Sequence, residues 1–276
     1  MKDKSIISSS SLSDLIEKFS QENIIAVMEK EYASAPAKLI PTSSIIDTAV
    51  ISSVPIKEST LDFFADTLQE KGFYNPLVVH SYGEGYELIL GRKRFLAAKK
   101  IGIVSLPCVV VEVEEEEELL MLLADNRDMK DCSVVQIALV YQALSTKFGY
   151  TQQTLASLSH LSRPQVTNIL RILKLPQPIL NEISLGTLSY GHGKVLAGLK
   201  PDQVEMMVKK IHDEKLSVAE TERFVNSLNS DQKRRKTALS FPNLGITSVK
   251  ESKRGLSLSF ASEEEKSTFL EMLKNK

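Results

Sequence analysis

Apolar positions change period several times along the chain, and each change marks an element. Leu12, Leu15, Ile16 and Phe19, then Ile24, Val27 and Met28, recur at helical spacing, and Ala33–Lys38 follows as a linker. Leu61, Phe64, Ala65 and Leu68 share one face and predict a helix over Leu61–Lys71, ended by Gly72. Short apolar runs then predict strands: PLVVH at 76–80, YELIL at 86–90 and LPCVVVEV at 106–113, with a turn at Ser81–Gly85 between the first two. RKRFLAAKKIG, between the second and third, reads as a helix closed by Gly102. Helix and strand periods alternating this closely predict a compact mixed α/β unit.

Beyond Glu112 the pattern turns helical. The run Glu112–Glu118 followed by LLMLLADNRDMKD predicts a helix with an acidic start, where negative charge suits the helix dipole. Val134–Phe148 predicts another. TQQTLASLSHLSRPQVTNILRILKL at 151–175 reads as two short helices meeting at Ser159–Leu161. Thr151 caps the first, and Leu155, Ala156 and Leu158 face inward. Ser162 caps the second, with Gln165 three residues on as a capping box and Pro164 tolerated in the first turn. Ile179–Ile183, Gly186–Leu199 (started at Ser189), Pro201–Ile211 and Ser217–Leu228 complete an all-helical region. Residues 229–243 hold Lys233, Arg234, Arg235 and Lys236 in a polar stretch that reads as a basic linker able to grip phosphates. GITSVKES and GLSLSFAS then alternate as strands, and Ser262 caps SEEEKSTFLEML as a helix. A strand–strand–helix unit this small buries little by itself, so it reads as a dimerisation module completed by a second copy.

The expected fold is therefore multi-domain α+β. It has an N-terminal tail and helix over 1–38, a mixed α/β domain over 39–124 and a helical domain over 125–228. The basic linker at 229–243 and a ββα module at 244–276 follow. Composition agrees with a folded chain: 276 residues, 42% hydrophobic and 25% charged. No apolar run reaches membrane-spanning length, and MKDKSIISSSSLSDL lacks a signal-peptide core, so the expectation is a cytoplasmic, nucleoid-associated protein. Cys108 and Cys132 have no paired spacing and are expected to be reduced thiols. His80, His160, His192 and His212 are scattered, which argues against a metal site built on them. The net charge of −1 argues against a general polyanion binder and leaves DNA contact to local basic patches.

Two stretches carry candidate chemistry. In 151–173, Val166, Ile169, Leu170 and Leu173 form the buried stripe of the second helix, while Gln165, Thr167, Asn168 and Arg171 point elsewhere and Arg163 stands at its start. Glutamine and asparagine pair bidentately with adenine, and arginine with guanine or phosphate. Thr151, Gln152, Ser162, Arg163, Gln165, Thr167, Asn168, Arg171 and Lys174 are the candidate DNA-binding set; an ordinary helical hairpin with a solvated face is the alternative. The second stretch is YELILGRKRFLAA, where a strand enters Gly91 and becomes a helix with Arg92, Lys93 and Arg94 in its first turn. Free amides at a helix start favour anions, and three cations there oppose the dipole unless an anion is present. Asp125 and Asn126 together could hold a hydrated Mg²⁺ beside a phosphate, or form a helix end or turn. Gly91, Arg92, Lys93, Arg94, Asp125 and Asn126 are the candidate nucleotide residues, with Asp125 and Asn126 as metal ligands. No catalytic residue is assigned.

The order of these parts resembles the ParB family of chromosome and plasmid partition proteins, from about Leu39 to Lys276. YELILGRKRFLAAKKIGI resembles the family's strand–G-E-R-R-x-R-A–helix box, and FGYTQQTLASLSHLSRPQVTNILRILKLP its helix-turn-helix. GTLSYGHGKVLAGL is similar to the segment that follows it, and LGITSVKESKRGLSLSFASEEEKSTFLEML to the C-terminal dimerisation domain. In the box, Gly91, Arg94 and Ala97 are kept. Arg92 replaces the family's glutamate, Lys93 its first arginine and Leu96 its last. The family's E-N-x-Q-R appears as DNRDM, so Asp125 and Asn126 match while Asp128-Met129 replaces Gln-Arg. ISSVPIKEST replaces the proline- and arginine-rich segment expected before Leu61. The resemblance implies a homodimer reading an inverted repeat in double-stranded DNA, and a ParA-type ATPase as partner. It also implies a CTP-gated clamp using Mg²⁺, here with little or no turnover: at most a weak CTPase. Two alternatives share the scaffold, a transcriptional regulator without a partition role and a nucleotide hydrolase or nuclease.

Overall fold

The computed structural model describes residues 36–128, 133–237, 246–252 and 255–274. The helix expected within residues 12–28, and Cys132, lie outside them. The chain divides into two compact units, Met1–Glu205 and Met206–Lys276.

The first unit opens with a five-stranded sheet in the order β1-β5-β3-β4-β2. Its strands are β1 (Lys38–Pro41), β2 (Ile45–Ile46), β3 (Leu77–Tyr82), β4 (Gly85–Leu90) and β5 (Ser105–Val111). β3 runs antiparallel to β4 and parallel to β5. The two edge strands β1 and β2 are too short to show a period in the sequence. Alternation sends Leu77, Val79 and Leu88 to one face. There helices α1 (Glu58–Lys71) and α2 (Arg92–Lys100) cover them with Ala65, Leu68, Phe95 and Ala98. Val78 and Ile89 face the other way, onto Met121 of α3 (Glu115–Asp128). A register shift between Val78 and Val79 re-phases the pairing: His80 pairs with Glu87 and Val79 with Leu88, whereas Val78 pairs with Leu90. The helix before β3 starts three residues earlier than its apolar stripe indicates, at Glu58, whose carboxylate pairs with Lys100 of α2 as Asp62 does at 2.7 Å.

Five helices follow in the same unit: α4 (Val134–Phe148), α5 (Gln152–Leu158), α6 (Arg163–Arg171), α7 (Gln177–Leu185) and α8 (Tyr190–Leu196). Ser133 caps α4, accepting from Val135 N at 3.2 Å, and Gly149 ends it in the left-handed region at φ 72°. Pro201–Glu214 forms α9, whose last turns open the second unit. That unit continues with α10 (Val218–Thr237), β6 (Ile246–Ser252), β7 (Gly255–Phe260) and α11 (Glu263–Lys274). Lys233–Lys236 lie within α10. The stretch read as a structure-poor linker is thus helical as far as Thr237, because its charged residues favour helix and no proline or glycine interrupts it. β6 and β7 pair antiparallel, and Phe260 packs against Phe269 of α11 with the rings tilted and their centroids 5.3 Å apart.

Candidate nucleic-acid interface and nucleotide pocket

Helices α5 and α6 form the expected pair. Leu155, Ala156, Leu158, Val166 and Ile169 are buried between them and α4. Thr151 caps α5 by accepting from Thr154 N at 3.1 Å. The turn is set by His160, which takes a positive φ of 52°, and by the fully buried Tyr141 of α4, whose hydroxyl reaches Ser159 Oγ at 2.6 Å. That hydrogen bond fixes the turn to the scaffold rather than to its own helices. Ser162 starts α6, and its amide and hydroxyl both donate to Gln165 Oε1, at 2.7 and 2.8 Å.

The candidate DNA residues divide by what their side chains already do. Thr151, Ser162, Arg163, Gln165, Thr167 and Lys174 are exposed, and Gln152 and Asn168 half-buried. Thr167 Oγ1 donates to Gln152 Oε1 at 2.7 Å, joining the two helices across the outer face. Gln165 spends its carbonyl oxygen on the cap, which leaves its amide donors outward. Arg171 turns inward: its Nη2 donates to the carbonyl of Lys194 on α8 at 2.9 Å. On α8, Ser189 Oγ lies 2.9 Å from His192 Nδ1 and caps the His192 amide, so this histidine serves its own helix start.

At the sheet, Gly91 closes β4 at φ 98°, where a side chain is strained, and an added Cβ would come within 2.6 Å of Leu77 Cδ2. Only glycine lets the strand turn directly into α2. Arg92 lines the small cavity beside Gly91, but its guanidinium is bonded to the 47–54 loop. It is 8% exposed, and its Nε meets both oxygens of Asp47 at 2.9 and 2.8 Å. Nη1 and Nη2 donate to the carbonyls of Val54 and Ser52 at 3.0 and 3.1 Å. The guanidinium is spent on holding the 47–54 loop. This partnership explains the tolerance of a cation in the first turn. Arg94 donates to the carbonyl of Asn75 and lies 3.5 Å from that of Pro76. Gly91, Lys93, Arg94 and Asp125 line the same small cavity with Leu122 and Gln136. The side chain of Asn126 lies outside the described residues.

An adjoining cleft of about 490 Å³ shares Ile56, Lys93 and Gln136 with that cavity and opens between the sheet domain and the helices. Lys57, Ser59, Thr60, Ser133, Ser184 and Tyr190 add a second cation and five hydroxyls to its wall. Its volume falls within the range of small-molecule sites. Sequence reasoning missed this wall because Ser133, Ser184 and Tyr190 carry no local motif. The segment Pro55–Lys57 was the available signal: a proline and a lysine just before a helix start. Elsewhere, burial pushes the Cys108 thiol up to about 11, so this core cysteine is a thiol, not a thiolate, at neutral pH. Among the described residues, no helix is long and apolar enough to cross a membrane.

Comparison with known proteins places two family domains on the chain, the ParB N-terminal domain over residues 26–127 and the ParB HTH domain over 130–230. The stage 0 sporulation protein J of Bacillus subtilis is 35% identical over 167 residues, which span 60% of this chain and 59% of that protein. A probable chromosome-partitioning protein ParB of Campylobacter jejuni is 30% identical over 196 residues, covering 69% of this chain and 70% of its own. Among solved structures, a C-terminally truncated chromosome-partitioning protein ParB of Caulobacter crescentus, complexed to the centromeric parS site, aligns with 25% identity and a TM-score of 0.42. The alignment covers 69% of this chain and 99% of that one.

Proposed function

Because the chain belongs to the ParB family of chromosome-partitioning proteins, we propose that it is a homodimeric, sequence-specific DNA-binding protein of chromosome or plasmid partition. Each protomer reads one half of an inverted repeat, since a twofold dimer matches a palindrome. The observation that carries this reading is the α5–α6 pair. Its inner face is packed on α4 and its turn is tied to Tyr141, while Arg163, Gln165, Thr167 and Lys174 stand exposed on the other side. Arg171 is a positioning residue in this scheme, holding α6 to α8.

Two further assignments belong to the same reading. The C-terminal unit supplies the dimer contact: Leu256, Leu258, Leu270, Met272 and Leu273 are all exposed on a hairpin and helix too small to bury them alone. The cleft beside Gly91 takes a cytidine triphosphate, with Lys93 and Lys57 as phosphate-facing cations and Asp125 as the one described oxygen ligand suited to Mg²⁺. Arg92 lines the same cavity with its guanidinium bonded to Asp47, Val54 and Ser52, and little or no turnover is expected of the pocket. A ParA-type ATPase is the expected partner, through residues before Pro36.

The deciding experiment is recovery of genomic fragments on the full-length protein followed by sequencing. One dominant palindrome is expected. Asn168→Ala should then relax base preference by about 1–3 kcal/mol, and Arg163→Ala should weaken binding to every sequence alike. Even recovery across the genome would reject site-specific partition.

A further inference from the structure

On the sheet face opposite helices α1 and α2, three side chains from three elements converge. His80 of β3 and Glu87 of β4 are cross-strand partners in register, so their side chains leave the sheet together. Glu118 of α3 comes down onto them from the covering helix. His80 Nε2 lies 3.6 Å from Glu87 Oε2 and 3.8 Å from Glu118 Oε2, and the ligand atoms of all three groups lie within 4.8 Å of one another.

These separations are too long for hydrogen bonds. His80 Nε2 is itself fully shielded from solvent and has no hydrogen-bond partner, although two carboxylates face it. A tetrahedral ion bound at about 2.0–2.2 Å sets its ligands roughly 3.3–3.6 Å apart. The two histidine–carboxylate separations, 3.6 and 3.8 Å, lie at and just above that figure. Burial is also at odds with an ion-free cluster. Glu87 and Glu118 are both buried, so two carboxylates are withdrawn from water around one imidazole that gives neither a hydrogen bond. The acidic run at the start of α3 reads from the sequence as a solvated face, but Glu118 falls on the face that packs against the sheet.

We propose that His80, Glu87 and Glu118 form a binding site for a borderline divalent transition ion, with zinc as the reference case. One imidazole and two carboxylates suit such an ion, and a carboxylate can supply a second oxygen as the fourth ligand. The ion neutralises the two carboxylates and cross-links β3, β4 and α3. It reaches further through ligands already in place. The other Glu87 oxygen accepts from the amide of Ala49 at 2.7 Å, which ties the 47–54 loop to the site. Glu118 also stands seven residues, about two helical turns, before Asp125 on α3, so the ion fixes the helix that lines the nucleotide cavity. The site does not depend on nucleotide binding at that cavity.

The test uses the full-length chain, stripped with chelator and then dialysed against zinc without nucleotide. About one zinc per chain should be retained by elemental analysis. His80→Gln and Glu118→Gln should each bind at least tenfold more weakly with unchanged circular dichroism. Cobalt(II) provides a check on the unaltered protein. A four-coordinate nitrogen–oxygen site should give visible ligand-field bands without the near-ultraviolet charge-transfer band of a thiolate ligand. Zinc at the blank level, retention in both folded variants, or a cobalt spectrum that is either six-coordinate or thiolate-bound would overturn the assignment. Should one variant fail to fold, the other and the cobalt spectrum decide it.

Discussion

Arg92→Met is the sharpest test of how this chain uses its altered box. Methionine keeps most of the volume and removes every donor, so the effect isolates the bonds to Asp47, Val54 and Ser52. A hydrogen bond from a charged donor contributes about 1.5–3 kcal/mol net. The Asp47 side chain is 19% exposed and can turn towards water, so its share sits at the low end. Val54 is 1% exposed, and leaving its carbonyl without a donor costs about 1–3 kcal/mol. The sum is about 3–5 kcal/mol, as expected when one member of a largely buried ion pair is removed. The chain has no tryptophan, so urea unfolding is followed by far-ultraviolet circular dichroism. Asp47→Asn combined with Arg92→Met should show a coupling of about 1–3 kcal/mol. A loss below about 1 kcal/mol, accompanied by loss of nucleotide binding at unchanged stability, would refute the reasoning and return Arg92 to the phosphates.

Gly91→Ala should destabilise the sheet domain by about 2–4 kcal/mol, from left-handed backbone strain and the clash with Leu77, and calorimetry should show its transition moved down. Deleting residues 244–276 should give a monomer by sedimentation, with operator binding weaker by a factor of about 10²–10⁴; a deletion protein that stays dimeric would place the contact elsewhere. Glu220 is held below the ordinary carboxylate range by the hydroxyl and amide of Ser217, so its contribution to the start of α10 is present at neutral pH and lost as pH falls through its lowered pKa. Glu220→Gln should flatten that acid dependence of helix content and leave the neutral value nearly unchanged.

Much of the fold was legible because its elements declare themselves locally. Ser133, Thr151, Ser162, Ser189 and Ser262 each stand at a helix start, and Gly72, Gly149 and Gly186 each follow a helix end. The α5–α6 pair was readable in the same way, since capping box, small Ala156 and apolar stripe all fall within 25 residues. Strands β1 and β2 were not, because four and two residues are too few to carry a period. The partners of Arg92 and His80 were not legible for another reason. Each meets partners distant in sequence, Asp47 in one case and Glu118 in the other, and spacing along the chain carries no trace of contacts made by strand register and helix docking. The four histidines are indeed scattered in sequence. What escapes a scan for histidine and cysteine spacing is a histidine opposite a glutamate on the neighbouring strand.

The register shift in β4 also bears on which kinds of genetic change this domain can absorb. Between Gly85 and Glu87 the strand counts in one phase with β3, and at Leu90 in the other, the step being taken around Ile89. A substitution within β4 alters one side chain and leaves the count intact. Loss of a single codon there would move the step, send the residues beyond it to the opposite face, and turn the exit at Gly91 through half a pleat. The start of α2 would then leave from the wrong side of the sheet. Exchange of residue types is thus tolerated along this strand to a degree that a change of length is not, and the same count that seats Leu88 in the core aims Gly91 at its cavity.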